Sequence, residues 1–348
     1  MTLEETAHRL AKSHTISRRP KRRTPLVEHL QNYEDRLLQA YRHFAKVSET
    51  RAALSYAGEW LLDNYYVVQQ AIHQIREDMP QEYYYQLPKL GSSAMAGYPR
   101  IYALAWELMV QSEYHLNLNQ ITHYVRAYQQ ITPLTMGELW ALPTMLRMGM
   151  VISLTQMIVL TIGIQDKNKE AADFEIPAHL LTDETSIANC IQSLRALAIQ
   201  DWKAFFENLS IVEHILHSDP KDVYARMDFE TRDRYRKVIE ELAKASDKGE
   251  VSVAQEVIWL AERAHSHEEG GKGKGTKSRS SHVGFYLLDD GRALLENRLD
   301  YRPPWKIRWR RWLLSHPAPI YLGLIWLFTA LIVFAIVFYA YLAGGILV

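Results

Sequence analysis

The sequence from Pro319 to Val348 reads PIYLGLIWLFTALIVFAIVFYAYLAGGILV and contains no Asp, Glu, Lys, Arg or His. A helix needs about 20 apolar residues to cross the hydrocarbon core of a membrane, so this stretch can span it with some tilt. Aromatic residues near its two ends suit the membrane–water interfaces; they are Tyr321, Trp326, Tyr339 and Tyr341. We therefore predict a transmembrane helix over 318–342. A buried core helix is the alternative, but core helices seldom run this far without a charge.

Basic residues alternate with tryptophans just before this span, in a juxtamembrane segment over 282–312. The bases are Arg302, Lys306, Arg308, Arg310 and Arg311. Because positive charge beside a span stays on the cytoplasmic side, the preceding residues are predicted to be cytoplasmic. Such a segment could also bind nucleic acid, but anionic lipid headgroups are the more economical partner beside a span. We predict membrane lipids as a partner, no nucleic acid, and five interface anchors: Trp305, Trp309, Arg310, Arg311 and Trp312.

The composition of the chain points to an intracellular domain without strong electrostatic partners. Its 40 basic and 40 acidic side chains give a formal net charge of zero. The single cysteine, Cys190, excludes an intramolecular disulfide and fits a reducing compartment. Since Cys190 lies among helix-forming apolar residues, we interpret it as a buried, inert thiol. No apolar run occurs near the N-terminus, so no secretory signal is predicted.

Composition also divides the residues before the span. A polar stretch with a basic cluster at 18–23 predicts a disordered arm over 1–24, with weak attraction to anionic lipid as a second role. Helical periodicity then predicts two helical subdomains, over 25–164 and 165–264. The Gly-, Lys- and Ser-rich stretch at 265–281 is predicted to be a flexible linker.

The periodicity predicts an all-α fold, a helical bundle or an array of helix pairs. One apolar stripe recurs every three or four positions, at Leu61, Tyr65, Val68, Ile72 and Ile75. Thr135 and Glu138 form a capping box that starts a long helix. Its part from Gly149 to Ile164 has no charge, but a second membrane span is disfavoured because the run is short and Arg147 lies one turn before it.

The sequence shows no motif that carries catalytic chemistry. It has no Gly-rich phosphate loop, no Asp-x-Asp metal pair, no HExxH and no Gly-x-Ser-x-Gly. The acidic residues from Asp228 to Asp233 could supply a carboxylate pair, but they open a helix, where acidic residues favour the macrodipole. His265, His267 and Glu268 could chelate a metal, but their glycine-rich surroundings favour solvated side chains. We therefore predict no catalytic residue, no cofactor and no metal site.

Several long stretches carry a family resemblance. They are WLLDNYYVVQQAIHQIREDMPQEYYYQLPKL, GYPRIYALAWEL, VRAYQQITPLTMGELWALPTMLRM, SLRALAIQDWKAFFENLSIVEHIL, DPKDVYARMDFETRDRYRKVIEELA and HVGFYLLDDGRALLE. In this order, over about Ala53 to Tyr301, they resemble the N-terminal region of cyclic β-1,2-glucan synthase. Members of that family are very large inner-membrane proteins that build β-1,2-linked glucan from UDP-glucose. They close the glucan to a ring and trim its chain length with a phosphorylase-like domain.

The resemblance implies a location in the bacterial inner membrane with a cytoplasmic N-terminal region. It covers only the region before the transferase domain, so no catalytic residue of the family carries over to this chain. Two hypotheses follow. The chain is a non-catalytic module of a glucan synthase, truncated or encoded apart from its catalytic part, or it is a stand-alone membrane-anchored helical scaffold or interaction protein. Whether it belongs to an enzyme stays open at this point.

Aromatic and charged residues around one helix start suggest where a transferase part would dock. The candidate interface residues are Tyr98, Arg100, Trp106, Glu107 and Trp140. If they are partly exposed, they have the composition of an interface hot spot, in which aromatic and arginine side chains anchor the partner. The alternative is that these residues only join the helices of the module to one another. Replacing Tyr98 and Arg100 with Ala separates the two interpretations. Docking predicts weaker association with the transferase part at a nearly unchanged melting temperature, and internal packing predicts that the module unfolds.

Overall fold

The structure, a computed structural model, describes residues 2–17, 26–49, 54–92, 94–163, 176–182, 184–269, 279–303 and 305–342. These residues are mostly helical, with two short strands, which confirms the predicted all-α class. Their contacts divide the chain into two compact units, Met1–Ile215 (unit 1) and Leu216–Val348 (unit 2). The predicted boundary at 164/165 does not coincide with this division, because the helix at Glu184–Ala198 packs against helices at Tyr56–Asp78 and Met136–Ile162.

Unit 1 holds eleven helices and two short strands among the described residues. In chain order they are α1 (Leu3–Ser13), β1 (Thr15–Ser17), α2 (Leu30–Glu49), α3 (Tyr56–Asp78), α4 (Gln81–Gln86), β2 (Lys89–Ser92), α5 (Arg100–Gln111), α6 (Leu118–Gln129), α7 (Met136–Ile162), α8 (Ala178–Thr182), α9 (Glu184–Ala198), α10 (Trp202–Leu209) and α11 (Ile211–Leu216), whose last residue lies across the division. Strands β1 and β2 pair antiparallel, with Ile16 opposite Leu90.

Helix α7 is the central element of unit 1. The predicted capping box starts it, since Thr135 Oγ1 accepts from the Glu138 N–H and the Glu138 carboxylate accepts from the Thr135 N–H. The helix packs against α2, α3, α5 and α9. A Cβ at Gly149 would meet the end of the Met109 side chain, so glycine leaves room for this methionine of α5 against α7. Helix α7 is long and apolar enough to cross a membrane, but most of it is buried in unit 1, as expected of a core helix.

The predicted disordered arm over 1–24 is wrong for its described part. Residues 3–13 form α1, which packs against α5 and α6 and buries Ala7 and Ala11. A capping box between Thr2 and Glu5 stabilises its N-terminus. The basic cluster at 18–23, which favours disorder, lies outside the described residues, whereas the Thr2–Glu5 capping box is a local signal for helix.

Unit 2 continues with a 3-10 turn (Tyr224–Arg226) and six helices among its described residues. They are α12 (Phe229–Ala245), α13 (Glu250–Glu269), α14 (Val283–Leu288), α15 (Arg292–Arg298), α16 (Trp305–Ser315) and α17 (Pro317–Leu342). Helices α12 to α15 pack around buried apolar residues such as Ile239, Val257 and Leu287. Helix α13 extends through Glu269, so the predicted linker over 265–281 begins as helix; 270–278 lie outside the described residues.

Helix α17 matches the predicted span over 318–342. It is strongly apolar from Ala318 to Leu342, and none of that length is buried within the protein. Exposed apolar side chains cover all of its faces, including Trp326, Phe334 and Tyr339. A helix that is apolar all round and unburied has the properties of a membrane span rather than of a core helix. Helix α17 is therefore a membrane-span candidate.

Candidate functional site

Arg100 and Glu138 form a buried ion pair where α5 and α7 begin. Arg100 Nε donates to Glu138 Oε1 over 2.7 Å, and Arg100 Nη2 donates to Glu138 Oε2. The same Nη2 also donates to the carbonyl of Pro133. Both side chains are at most 2% exposed. Desolvation works to lower the pKa of Arg100, but the hydrogen bond and charge of Glu138 outweigh it, so the pKa is raised.

The residues predicted as a docking interface do not form an exposed patch. Tyr98, Arg100 and Trp106 are buried inside unit 1. Trp140 is half-buried, and its ring stacks on that of Phe206 with the centroids 4.5 Å apart. The remaining member, Glu107, is partly accessible and accepts from Arg9 over 3.0 Å. The structure therefore supports internal packing for the three buried residues. The sequence showed Arg100 and the capping Glu138, but no local pattern pairs them.

The C-terminal end of α1 contacts α6 and the residues that follow it. His14 Nδ1 lies 3.0 Å from Tyr128 Oη, and Thr132 Oγ1 donates to the carbonyl of Ala11. Burial lowers the pKa of His14 to about 4, and the nearby charge of Arg100 acts in the same direction. Burial also raises the pKa of Tyr128 to about 12. His14 is thus held neutral next to a buried cation.

We expect the stability of unit 1 to depend on pH through His14. Its pKa is lower in the folded chain than its ordinary value of 6.5, so the unfolded chain takes up the proton first. The stabilising contribution of neutral His14 is complete above pH 6.5 and is lost as pH falls towards about 4. Thermal melts between pH 7.5 and 4.5 measure this loss. His14→Gln should lose part of the pH dependence; an identical pH profile in this variant would contradict the expectation.

The tryptophans predicted as anchors share one face of α16. Trp305, Trp309 and Trp312 lie at i, i+4 and i+7, with Arg308 on the same face. All three indoles are more than half exposed. The side chains of Arg310 and Arg311 lie outside the described part of the chain. Because α16 ends at Ser315 and α17 begins at Pro317, this exposed aromatic face adjoins the span candidate directly.

Unit 2 contains a buried carboxylate that the sequence interpretation missed. Asp219 Oδ2 accepts from the N–H groups of Val223 and Tyr224 and from His282 Nδ1 over 2.8 Å, while Oδ1 accepts from the Val283 N–H. Desolvation opposes ionisation, but the hydrogen bond and charge of His282, together with the backbone donors, lower the pKa of Asp219. The carboxylate thus ties the loop before α12 to the start of α14.

No local signal could have found this pair. Asp219 and His282 are 63 positions apart, and each is a single polar residue without a recognisable motif. Among the described residues, no three or more His, Cys, Asp and Glu side chains are grouped to hold a metal ion. Cys190 is buried, and burial raises the pKa of its thiol, so it is a poor nucleophile.

Together, these features define a helical protein with an exposed apolar helix that is a membrane-span candidate. No protein-family model matches the chain. The chain is 29% identical to cyclic beta-(1,2)-glucan synthase NdvB of Rhizobium meliloti (strain 1021) over the part that aligns. This match covers 80% of the chain but only 12% of the relative. It confirms the resemblance found in the sequence, and the chain corresponds to a small part of that synthase.

Proposed function

We propose that this chain is a non-catalytic helical module of a membrane glucan-synthesis system, acting with a transferase part that uses UDP-glucose. The observation that carries the proposal is the 29% identity to a cyclic β-1,2-glucan synthase across 80% of the chain. Similarity over so much of the chain suggests that both helical units correspond to parts of that protein. The transferase chemistry then belongs to the partner part.

The arrangement of charged side chains supports a non-catalytic role. Asp228 caps α12 by accepting from the Thr231 N–H over 2.6 Å. Asp233 pairs with Lys237 and approaches Arg236, so the acidic cluster stabilises its own helix. The Arg100–Glu138 pair is closed to solvent. These contacts stabilise the fold, which supports a non-catalytic role for these side chains.

The proposal places the chain in the inner membrane of a bacterium. Helix α17 would cross the hydrocarbon core, and the tryptophan face of α16 would lie among the headgroups, where amphipathic rings are favoured. The bases of the juxtamembrane segment would keep both helical units in the cytoplasm. Anionic lipid would then be the immediate partner of α16.

Cysteine labelling tests this orientation. The native Cys190 is fully buried, so the folded chain offers a low background. We expect Lys237→Cys, on the exposed surface of unit 2, to resist a membrane-impermeant maleimide in spheroplasts and to react after lysis, because the bases near α17 hold unit 2 inside. Labelling of this cysteine in intact spheroplasts would show the opposite orientation.

Association with the transferase part tests the module role. The full chain, extracted in mild detergent, should co-purify with a separately expressed transferase part of a cyclic β-1,2-glucan synthase. A single-span protein unrelated to glucan synthesis is the matched control. If the chain fails to retain the transferase part while its helical content and melting temperature are intact, the module role is wrong. The stand-alone scaffold would then be the better account.

A further inference from the structure

A cavity of about 580 Å³ opens in unit 2 beside the Asp219–His282 pair. Its lining includes the basic residues Lys221, Arg279 and His282. It also includes the apolar residues Phe285 and Leu288. Its volume falls within the range of small-molecule binding sites. The cavity lining therefore combines cationic and apolar side chains.

The hydrogen bond to Asp219 fixes how His282 faces this cavity. Because His282 Nδ1–H donates to Asp219, the other ring nitrogen, Nε2, is directed to Tyr235, whose Oη lies 3.3 Å away. Tyr235 also lines the cavity. A Cβ at Gly284 would collide with Tyr235 Oη, so glycine keeps space open at this point. The imidazole and phenol thus form a positioned polar pair on the cavity wall.

The charges around the cavity favour an anion. Lys221 and Arg279 contribute two cations, and Asp289 is the single carboxylate among the described lining residues. The carboxylate of Asp219 lies behind His282 and is already engaged by four donors. A guanidinium offers parallel N–H donors that match the oxygens of a phosphate group, and a lysine supplies a point charge.

We propose that this cavity binds a phosphate monoester with an apolar or aromatic substituent. The phosphate lies against Lys221 and Arg279, and the substituent packs on Phe285 and Leu288. The side chain of Leu288 is 51% exposed, and a bound apolar group would reduce this exposure. The ester can be a soluble metabolite or the monoester headgroup of phosphatidic acid, since both present the same phosphate group. The site is independent of the glucan-synthesis proposal.

Calorimetric titration of the full chain in phosphatidylcholine nanodiscs tests the site. The probes are phenyl phosphate, for a soluble ester, and dihexanoyl phosphatidic acid, for a lipid headgroup, with inorganic phosphate for the anion alone. We expect saturable binding of at least one ester, tighter than inorganic phosphate. Lys221→Gln and Arg279→Gln should each weaken it by about tenfold, since each removes a charge-assisted contact.

Lys237→Gln is the matched control, because it removes one positive charge from an exposed site of unit 2 that does not line the cavity. The affinity of the Lys237→Gln variant for the ester should stay within about twofold of that of the parent. This corresponds to a change in binding free energy of well under 1 kcal/mol. Preference for phenyl phosphate or for the lipid identifies the source of the ester. No saturable binding of either ester, or equal weakening by Lys237→Gln, would overturn the proposal.

Discussion

Replacing Glu138 with alanine is expected to lower the free energy of unfolding of unit 1 by about 3–5 kcal/mol, the range for breaking a buried ion pair from one side. Arg100 would stay buried with its charge uncompensated, and the Thr135 N–H would lose its acceptor. The change should appear as faster hydrogen exchange throughout α5 and α7, followed by mass spectrometry.

Two variants make this test specific. Glu107→Ala removes a partly exposed carboxylate of α5 that pairs with Arg9, and it should cost only about 0–1 kcal/mol. The double variant Arg100→Met/Glu138→Leu removes both buried charges and should recover most of the loss. If Glu138→Ala costs no more than Glu107→Ala, the ion pair does not stabilise the junction of α5 and α7.

The second large effect is expected from Asp219→Ala in unit 2. It leaves the N–H groups of Val223, Tyr224 and Val283 without their acceptor and separates His282 from its partner. We expect a loss of about 3 kcal/mol or more, because each buried donor left unpaired is costly. Hydrogen exchange in α12 and α14 measures it. Glu240→Ala, which breaks an exposed pair with Lys244, is the control and should cost about 0–1 kcal/mol.

Asp219 also predicts an acid-dependent loss of stability. Its folded pKa is lowered, so its contribution is complete above the ordinary value of 3.8 and is lost as pH falls through the lower folded value. Asp219→Ala should remove this part of the acid response of unit 2. Equal exchange rates in the parent and variant at neutral pH would show that the carboxylate does not hold the loop to α14.

Helices whose position depends on the local sequence, such as α7 and α17, could be predicted from the sequence. The capping box at Thr135 placed the start of α7, and the uncharged run placed α17, because caps and long apolar stretches need no tertiary context. The Thr2–Glu5 capping box is an equally local signal for α1. The basic cluster after α1 favours disorder instead, so the two signals in this region disagree.

Pairings between distant residues could not be predicted in the same way. Arg100 and Glu138 are 38 positions apart, and whether Arg100 is exposed depends on how α5 meets α7. The docking prediction therefore depended on an exposure that the sequence does not determine. The Asp219–His282 pair adds a second case, since a buried carboxylate gives no compositional signal before its donors are brought together in the fold.

The most direct test of the module role is incorporation of labelled glucose from UDP-glucose in proteoliposomes. The full chain alone should incorporate none. A separately expressed transferase part of a cyclic β-1,2-glucan synthase should incorporate more β-1,2-glucan with the full chain than with an unrelated single-span protein. Incorporation by the chain alone, or equal incorporation with and without it, would contradict the account.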